Sequence, residues 1–508
     1  MLLLLPPALL LLTWLAILFI SQVPRPARYA WLVALVGTFL SWGSLFVVYF
    51  FLPLMLEVPV WGTLSEALVF RGDEISWVYA VVLLSVTLAV LLSDLPNEVL
   101  RRPLIAFGVL ILAWVGILAS FSATPLTLVF LWAAIDLSEW GAQVRSTSSA
   151  QAVRSLTFGL TLRILGLLLL LWTGILSAAQ GLPLRPGEVA SQLAPYLALA
   201  VAFRLGVLPL HLPYPQESLL RRGFGTQLRV VSVASALVLL DYLPQITPPL
   251  LWWFAVPILI TAILAAWNWL MAADALDGRV FWMIAGGGMA VLAAVLGDRN
   301  GSLAWGVMTL CAGSLLFLWA LDHPFLRFLA LIGWWTLSGL PYSLLSESAQ
   351  EAYPWSLRLG VWAVQILLGL GYLVHWQRKR PLWKEQPAWM RNPHFVAMIL
   401  LSALLVILGF WRSTSLWQGM LALLPAAVTW ALFLLRRRLP FGRPPRAHWI
   451  RPPALTWMRL SEKVLGFFYR LLEIVLRGLN GLLEGASGLL WSLLVLMALI
   501  NLLIYVYR

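Results

Sequence analysis

Residues 202–213 read Ala202-Phe203-Arg204-Leu205-Gly206-Val207-Leu208-Pro209-Leu210-His211-Leu212-Pro213, and residues 338–342 read Ser338-Gly339-Leu340-Pro341-Tyr342. Each stretch places glycine and proline inside a long apolar run: Gly206 and Pro209 in the first, Gly339 and Pro341 in the second. Proline removes a backbone donor and glycine admits left-handed backbone, so each pair predicts a helix interrupted in mid-membrane. By the rule of about 20 apolar residues per crossing, roughly sixteen spans surround them. They lie near residues 2–20, 29–56, 75–95, 103–121, 125–144, 155–179, 190–212, 224–243, 249–273, 280–297, 302–321, 326–346, 355–376, 394–411, 416–435 and 486–507. The breaks fall in the seventh and twelfth spans. An odd separation gives opposite orientations, so two five-helix units related in this way form an inverted repeat, an arrangement whose ion sites line discontinuous helices. Two ordinary proline kinks are the simpler alternative.

Composition sets the class around these breaks. Of 508 residues 61% are apolar and 11% charged, with a mean hydropathy of +0.90, far from the soluble average of about 25% charged. The expected fold is therefore an all-α, multi-pass membrane protein, and a soluble enzyme is excluded. The single cysteine, Cys311, supports neither an internal disulfide nor a Cys-based metal site. Only His211 of the five histidines lies well inside the apolar body, which argues against a bis-histidine haem. No phosphate loop, dinucleotide fingerprint, nucleophile elbow or metalloprotease motif is present, so no catalytic centre, cofactor or metal is expected.

The net charge of +13 does not point to nucleic acid, because basic residues of a membrane chain report orientation first. They gather after odd-numbered spans: Arg25 and Arg28, Arg101 and Arg102, Arg145 and Arg154, Arg221 and Arg222, Arg279, Arg327, Arg378 to Arg380, and Arg436 to Arg451. The intervening loops carry few, such as Arg71, Arg185, Arg299 and Arg412. This predicts a retained first helix, both termini outside and the basic loops in the cytoplasm. After Pro452 and Pro453, the residues Arg459, Glu462, Lys463, Arg470, Glu473, Arg477, Asn480 and Glu484 recur at helical spacing between apolar residues. They predict a cytoplasmic amphipathic helix about 45 Å long. Its apolar face suits lipid or a neighbouring subunit, and the anchoring span that follows favours a subunit. The expected organisation is residues 1–102 as helices 1–3, 103–243 as a first repeat (helices 4–8), 249–376 as a second, inverted repeat (helices 9–13), 394–435 as helices 14 and 15, 452–484 as the surface helix and 486–507 as its anchor.

The chain resembles the antiporter-like membrane subunits shared by respiratory complex I, membrane-bound hydrogenases and multisubunit sodium/proton antiporters. The passages that carry the resemblance are residues 202–213, Asp277-Gly278-Arg279-Val280-Phe281-Trp282, Gly313-Ser314-Leu315-Leu316-Phe317-Leu318, and Ser338-Gly339-Leu340-Pro341 followed by Glu347, with Arg71-Gly72-Asp73-Glu74-Ile75-Ser76 as a weaker echo. The resemblance covers most of residues 70–350. The surface helix and last span are similar to the lateral arm of the most distal complex I subunit. It implies a multi-pass protein of the cell (inner) membrane, partnered by other membrane subunits and the lipid bilayer, meeting quinone only through the parent complex.

The departures from the family lie on its proton axis. That axis uses buried lysines, a glutamate and histidines, whereas this chain has three lysines, Lys379, Lys384 and Lys463, none in the repeat core. Arg204 stands where the seventh-helix lysine is expected, and arginine is a fixed charge rather than a proton relay. Ala133 and Ala134 occupy the expected glutamate position, with Asp136 and Glu139 following on one face at i, i+3. Because an intramembrane charge is normally paired, Asp136 or Glu139 is expected to bond Arg204, with Arg163 as competitor; alternatively both acids reach the cytoplasmic interface. Ser232, Val233 and Ala234, then Thr309 and Gly313, stand where further titratable groups are expected. Glu347 is either the remnant of the twelfth-helix acid or a loop residue. His211 either titrates or holds the broken helix by hydrogen bonds. Two functions follow: translocation of protons or another cation by an altered path through Asp136, Glu139, Arg204, His211 and Glu347, or a non-conducting scaffold in the same kind of complex. A standalone transporter or lipid-acting enzyme is a remoter reading.

Overall fold

The computed structural model of the chain describes residues 2–436 apart from 23–28, 59–67, 94–103, 147–149, 182–183, 185–188, 209–219, 221, 247–249, 349–352, 384–386, 413–419 and 421. These belong to a first compact unit, Met1–Ile450; the second, Arg451–Arg508, lies outside the described residues. The amphipathic helix expected at 452–484 and the anchor expected at 486–507 fall there.

Fifteen α-helices are present among the described residues: α1 (Leu5–Ser21), α2 (Ala30–Tyr49), α3 (Glu74–Ser93), α4 (Leu104–Ser120), α5 (Pro125–Ser146), α6 (Ala150–Ala179), α7 (Ala194–Leu205), α8 (Arg222–Leu237), α9 (Leu250–Met271), α10 (Arg279–Val295), α11 (Arg299–Leu318), α12 (Pro324–Ser338), α13 (Trp355–Trp376), α14 (Ala388–Arg412) and α15 (Leu423–Leu435). Apolar side chains on all faces and backbone groups satisfied within each segment are what a bilayer demands of a spanning element. Nine helices among the described residues are long and apolar enough to cross a membrane. The core runs along α3, α8 and α11. Buried residues fill the most apolar stretch of α11 completely and those of α3 and α8 nearly so, whereas α1, α2 and α6 are buried over about a third of theirs.

One element departs from the all-α expectation. The apolar run predicts a second span to residue 56, but α2 ends at Tyr49 and residues Leu54–Val58 form a strand, β1, paired antiparallel with β2 (Leu68–Gly72). Leu54, Leu56 and Val58 are half-buried while Met55 and Glu57 face out, the period of two that defines a half-buried strand. The far edge of β2 is satisfied by the turn between α4 and α5: Arg71 N–H donates to the Phe121 carbonyl at 2.7 Å and Ala123 N–H to the Val69 carbonyl at 2.8 Å.

Both predicted breaks end a helix on a left-handed glycine. Gly206 (φ 76°) closes α7 and Gly339 (φ 71°) closes α12, a conformation that costs glycine nothing because it has no Cβ. The freed carbonyls are taken up locally. Val207 N–H donates to Ala202 O at 2.9 Å, and Gln365 Nε2 reaches across from α13 to Leu337 O at 3.0 Å. At the opposite ends of the later helices, arginines cap carbonyls: Arg222 donates to Phe317 O at 2.7 Å, and Arg380 to Trp319 O at 3.1 Å while stacking on the Trp319 ring. Burial, followed by repulsion from Arg222, pushes the Arg380 guanidinium down to about 10, so these carbonyl bonds and the ring hold a charge that is short of water.

Candidate functional site: a buried charge network

Two carboxylates and three guanidinium groups meet inside the bundle, on α5, α6, α7 and α8. Asp136 and Glu139 lie one turn apart on α5, so both project from one face. Their exposures are 3% and 0%, so neither reaches an interface. Arg163 on α6 bridges them. Its Nη2 lies 2.5 Å from Asp136 Oδ1, its Nη1 bonds Glu139 Oε2, and Nη2 also donates to Ser232 Oγ on α8 at 2.5 Å. Arg204 in the last turn of α7 donates to Asp136 Oδ2 at 2.9 Å and stacks over Trp132, 4.4 Å from the ring centre. Arg229 on α8 bonds Glu139 Oε1. Every carboxylate oxygen therefore faces a guanidinium, the condition under which charge is tolerated in a low-dielectric interior.

Local sequence explains how the four helices come so close. Gly166 lies on α6, where an added Cβ would stand 2.9 Å from the Ala200 carbonyl and 3.4 Å from the Arg204 backbone nitrogen. The absent side chain lets α7 approach α6, so that Arg163 and Arg204 share one carboxylate. Gly206 then stops α7 two residues later, leaving Arg204 beside the negative end of its own helix dipole. Trp132 fixes the other side by donating from Nε1 to Ser235 O of α8 at 3.1 Å.

The structure thus brings Asp136, Glu139, Arg163 and Arg204 together. Glu139 bonds Arg163 and Arg229, while Arg204 bonds Asp136. Pro209 and His211 lie outside the described residues. Pro341 sits in the turn after Gly339, and the backbone of Glu347 closes the short 3-10 turn Leu344–Glu347 that follows. Sequence reasoning missed Arg229, although a charge inside a predicted span was itself the signal.

The second half is built differently. From Val280 to Leu318 the only Asp, Glu, Lys, Arg or His residues are Asp298 and Arg299, at the connection between α10 and α11. Polar groups there serve helix packing: Trp282 Nε1 donates to Thr309 O at 2.8 Å and Thr309 Oγ1 to Trp305 O at 2.6 Å. Cys311 is a buried free thiol. Among the described residues no group of three His, Cys, Asp or Glu could hold a metal.

A cavity of about 230 Å³ opens at the far end of α8, lined by Asp241, Tyr242, Gln245, Val189, Gly297 and Arg299 among others. The α8 chain tightens there into a 3-10 turn, Val238–Tyr242. The side chain of Asp241 is 5% exposed and bonds Arg299, whose side chain is 56% exposed.

No protein-family model and no curated protein matches the chain. Solved structures do. A chain of the membrane-bound sulfane sulfur reductase, an archaeal respiratory membrane complex, superposes with a TM-score of 0.66 at 14% identity over 98% of this chain and 99% of its own. A chain of the Mrp complex from Dietzia sp. DQ12-45-1b gives 0.68 at 14% identity, covering all of this chain and 63% of that one. A chain of respiratory complex I from Thermus thermophilus gives 0.61 at 18% identity, over 80% and 97%. This chain shares its fold with membrane chains of these three complexes.

Proposed function

We propose that this chain is a membrane subunit of a multisubunit, complex I-like or Mrp-like assembly that translocates protons or another cation. In this reading Asp136, Glu139, Arg163, Arg204 and Arg229 form the working part of an altered path. The observation that carries it is a continuous carboxylate–guanidinium chain buried on α5 to α8, in a chain with this fold. Arginine as a residue type stays protonated, so the groups that change protonation state are the two carboxylates. Arg163 couples them: neutralising Glu139 leaves its guanidinium to Asp136 and Ser232, and the reverse holds for Asp136. The two left-handed glycine caps, on the seventh and twelfth helices in chain order, support the inverted five-helix repeat. His211 and Glu347 remain members of the proposed path on the sequence reading. The topology with both termini outside and a cytoplasmic surface helix at 452–484 docking on a neighbouring subunit belongs to the same proposal.

The expected outcome of Asp136→Asn or Glu139→Gln in the reconstituted assembly is ion flux reduced at least tenfold with assembly retained. Unchanged flux in both variants overturns the conducting role. A second reading, a non-conducting scaffold, draws on the second half, where no titratable chain links α10 to α11. It predicts wild-type flux in every variant of the network.

A further inference from the structure

The buried network and the Asp241 cavity lie on one helix. Residues Arg229, Ser232, Ser235, Val238 and Asp241 follow each other at a spacing of three along α8 and its terminal 3-10 turn. Such a row forms a continuous ridge on a helix surface, and in a 3-10 turn residues three apart eclipse. Four of the five are polar; Arg229, Ser232, Ser235 and Val238 are buried, and the side chain of Asp241 is 5% exposed. Ser232 Oγ accepts from Arg163, which bonds Glu139, and Ser235 Oγ donates to the backbone carbonyl of Ser232 at 2.8 Å, one turn along the same ridge. At the other end Asp241 lines the cavity, beneath an arginine that is more than half exposed. A narrower cavity of about 10 Å³, room for one water, shares Asp241 and Tyr242 and adds Asp73, Ser76, Ser120 and Ser122. The remaining gap, from Ser235 past Val238 to Asp241, is about 10 Å by the rise of the two helix types.

We infer that Asp241 is the proton port on the membrane face where α8 ends, and that the serine row carries protons between it and Glu139, so the path crosses within the first half of the chain. The inference rests on the conducting reading above and deepens it. Three points support it. The second half offers no titratable relay between Val280 and Leu318 apart from Asp298 and Arg299 at its end. Asp241 is a carboxylate that is almost fully buried yet lines an open cavity. Hydroxyls both donate and accept, so Ser232 and Ser235 can hold a chain of water that passes protons, while one carboxylate and one arginine are a poor ligand set for a dehydrated metal cation.

Each step conserves protons. A hydronium ion in the cavity gives its excess proton to the Asp241 carboxylate and remains as water when Arg299 swings aside. Asp241 releases it to a water beside Val238, waters held along Ser235 and Ser232 each take one proton and release one, and the last of them gives it to the Glu139 carboxylate. The guanidinium groups stay charged throughout. Val238, the apolar member of the row, is the gate. The charged and titratable groups around Asp241 are Arg299, Arg71, Asp73, Tyr79 and Tyr242.

The test uses the assembled complex in proteoliposomes, with a trapped pH dye reporting proton flux. Asp241→Asn is expected to lower flux at least tenfold, as Glu139→Gln does, while Asp322→Asn, in an exposed ion pair with Arg327, leaves it unchanged. Reduced flux in Glu139→Gln with wild-type flux in Asp241→Asn overturns the port and leaves the conducting reading intact. Wild-type flux in both overturns both. Because Cys311 is the single cysteine, a Cys311→Ser background gives an independent measure. Ser235→Cys is expected to react with a water-soluble methanethiosulfonate at least tenfold faster than Ser314→Cys on α11. Equal rates overturn the hydrated row.

Discussion

Replacing Arg163 by leucine probes the network at the residue that holds it together. The substitution removes bonds to Asp136, Glu139 and Ser232 at once, whereas Asp136 keeps Arg204 and Glu139 keeps Arg229. Hydrogen bonds to charged groups contribute about 1.5–3 kcal/mol each, so two of them amount to about 3–6 kcal/mol. Breaking a buried ion pair by removing one partner costs about 3–5 kcal/mol. Since each acid retains a guanidinium, the expected loss is at the lower end, about 3 kcal/mol, or roughly 150-fold in the unfolding equilibrium. Glu139→Leu should cost about the same, because it takes away the carboxylate that Arg163 and Arg229 both bond. The double variant should fall short of the sum by about 1.5–3 kcal/mol, the energy of the bond both singles remove. Unfolding equilibria of the four proteins in mixed detergent micelles measure this cycle. Additivity within about 0.5 kcal/mol would refute the network as a coupled unit.

Other expectations are as specific. Gly206→Ala and Gly339→Ala force a Cβ into left-handed backbone at φ 76° and 71°, and each should destabilise by about 1–2 kcal/mol in the same unfolding assay. At Gly286 an added Cβ would stand 2.0 Å from Thr309 Oγ1, so Gly286→Ala should cost about 1–3 kcal/mol. A second change, Thr309→Ala, should restore part of that loss, and no recovery would mean that α10 and α11 are not held apart by this contact. Deleting residues 456–484, the sequence-predicted surface helix, should lower the yield of assembled complex on native gels more than any single change in the network does.

Much of this was legible in the sequence because a bilayer leaves few choices. Apolar runs of crossing length had to be helices, and Gly-Pro pairs within them had to end or bend those helices, as Gly206 and Gly339 do. Charge placed in such runs is normally paired, so the sequence pointed to a bond from Asp136 or Glu139 to Arg204, with Arg163 as competitor, beside the alternative that both acids reach the interface; their burial comes from the folded chain. Arg229 escaped because the position where lysine is expected in the eighth span falls at Ser232 to Ala234, which do not titrate, three residues beyond it. Asp241 escaped because it lies at a span end, where a carboxylate ordinarily meets water; only the folded chain shows it buried against a cavity. The strand at Leu54–Val58 escaped because a short apolar run reads the same as the end of a helix until its burial alternates. The acids' choice of partners was beyond the sequence, since Gly166, far from either acid in the chain, decides how closely α6 and α7 pack.

The most direct test of the central claim is gentle purification of the native protein from its own membranes, followed by mass spectrometry of what stays bound. The account predicts recovery with other antiporter-like membrane subunits in defined stoichiometry. Recovery of this chain alone, as a monomer or homo-oligomer under conditions that keep such complexes intact, would contradict it.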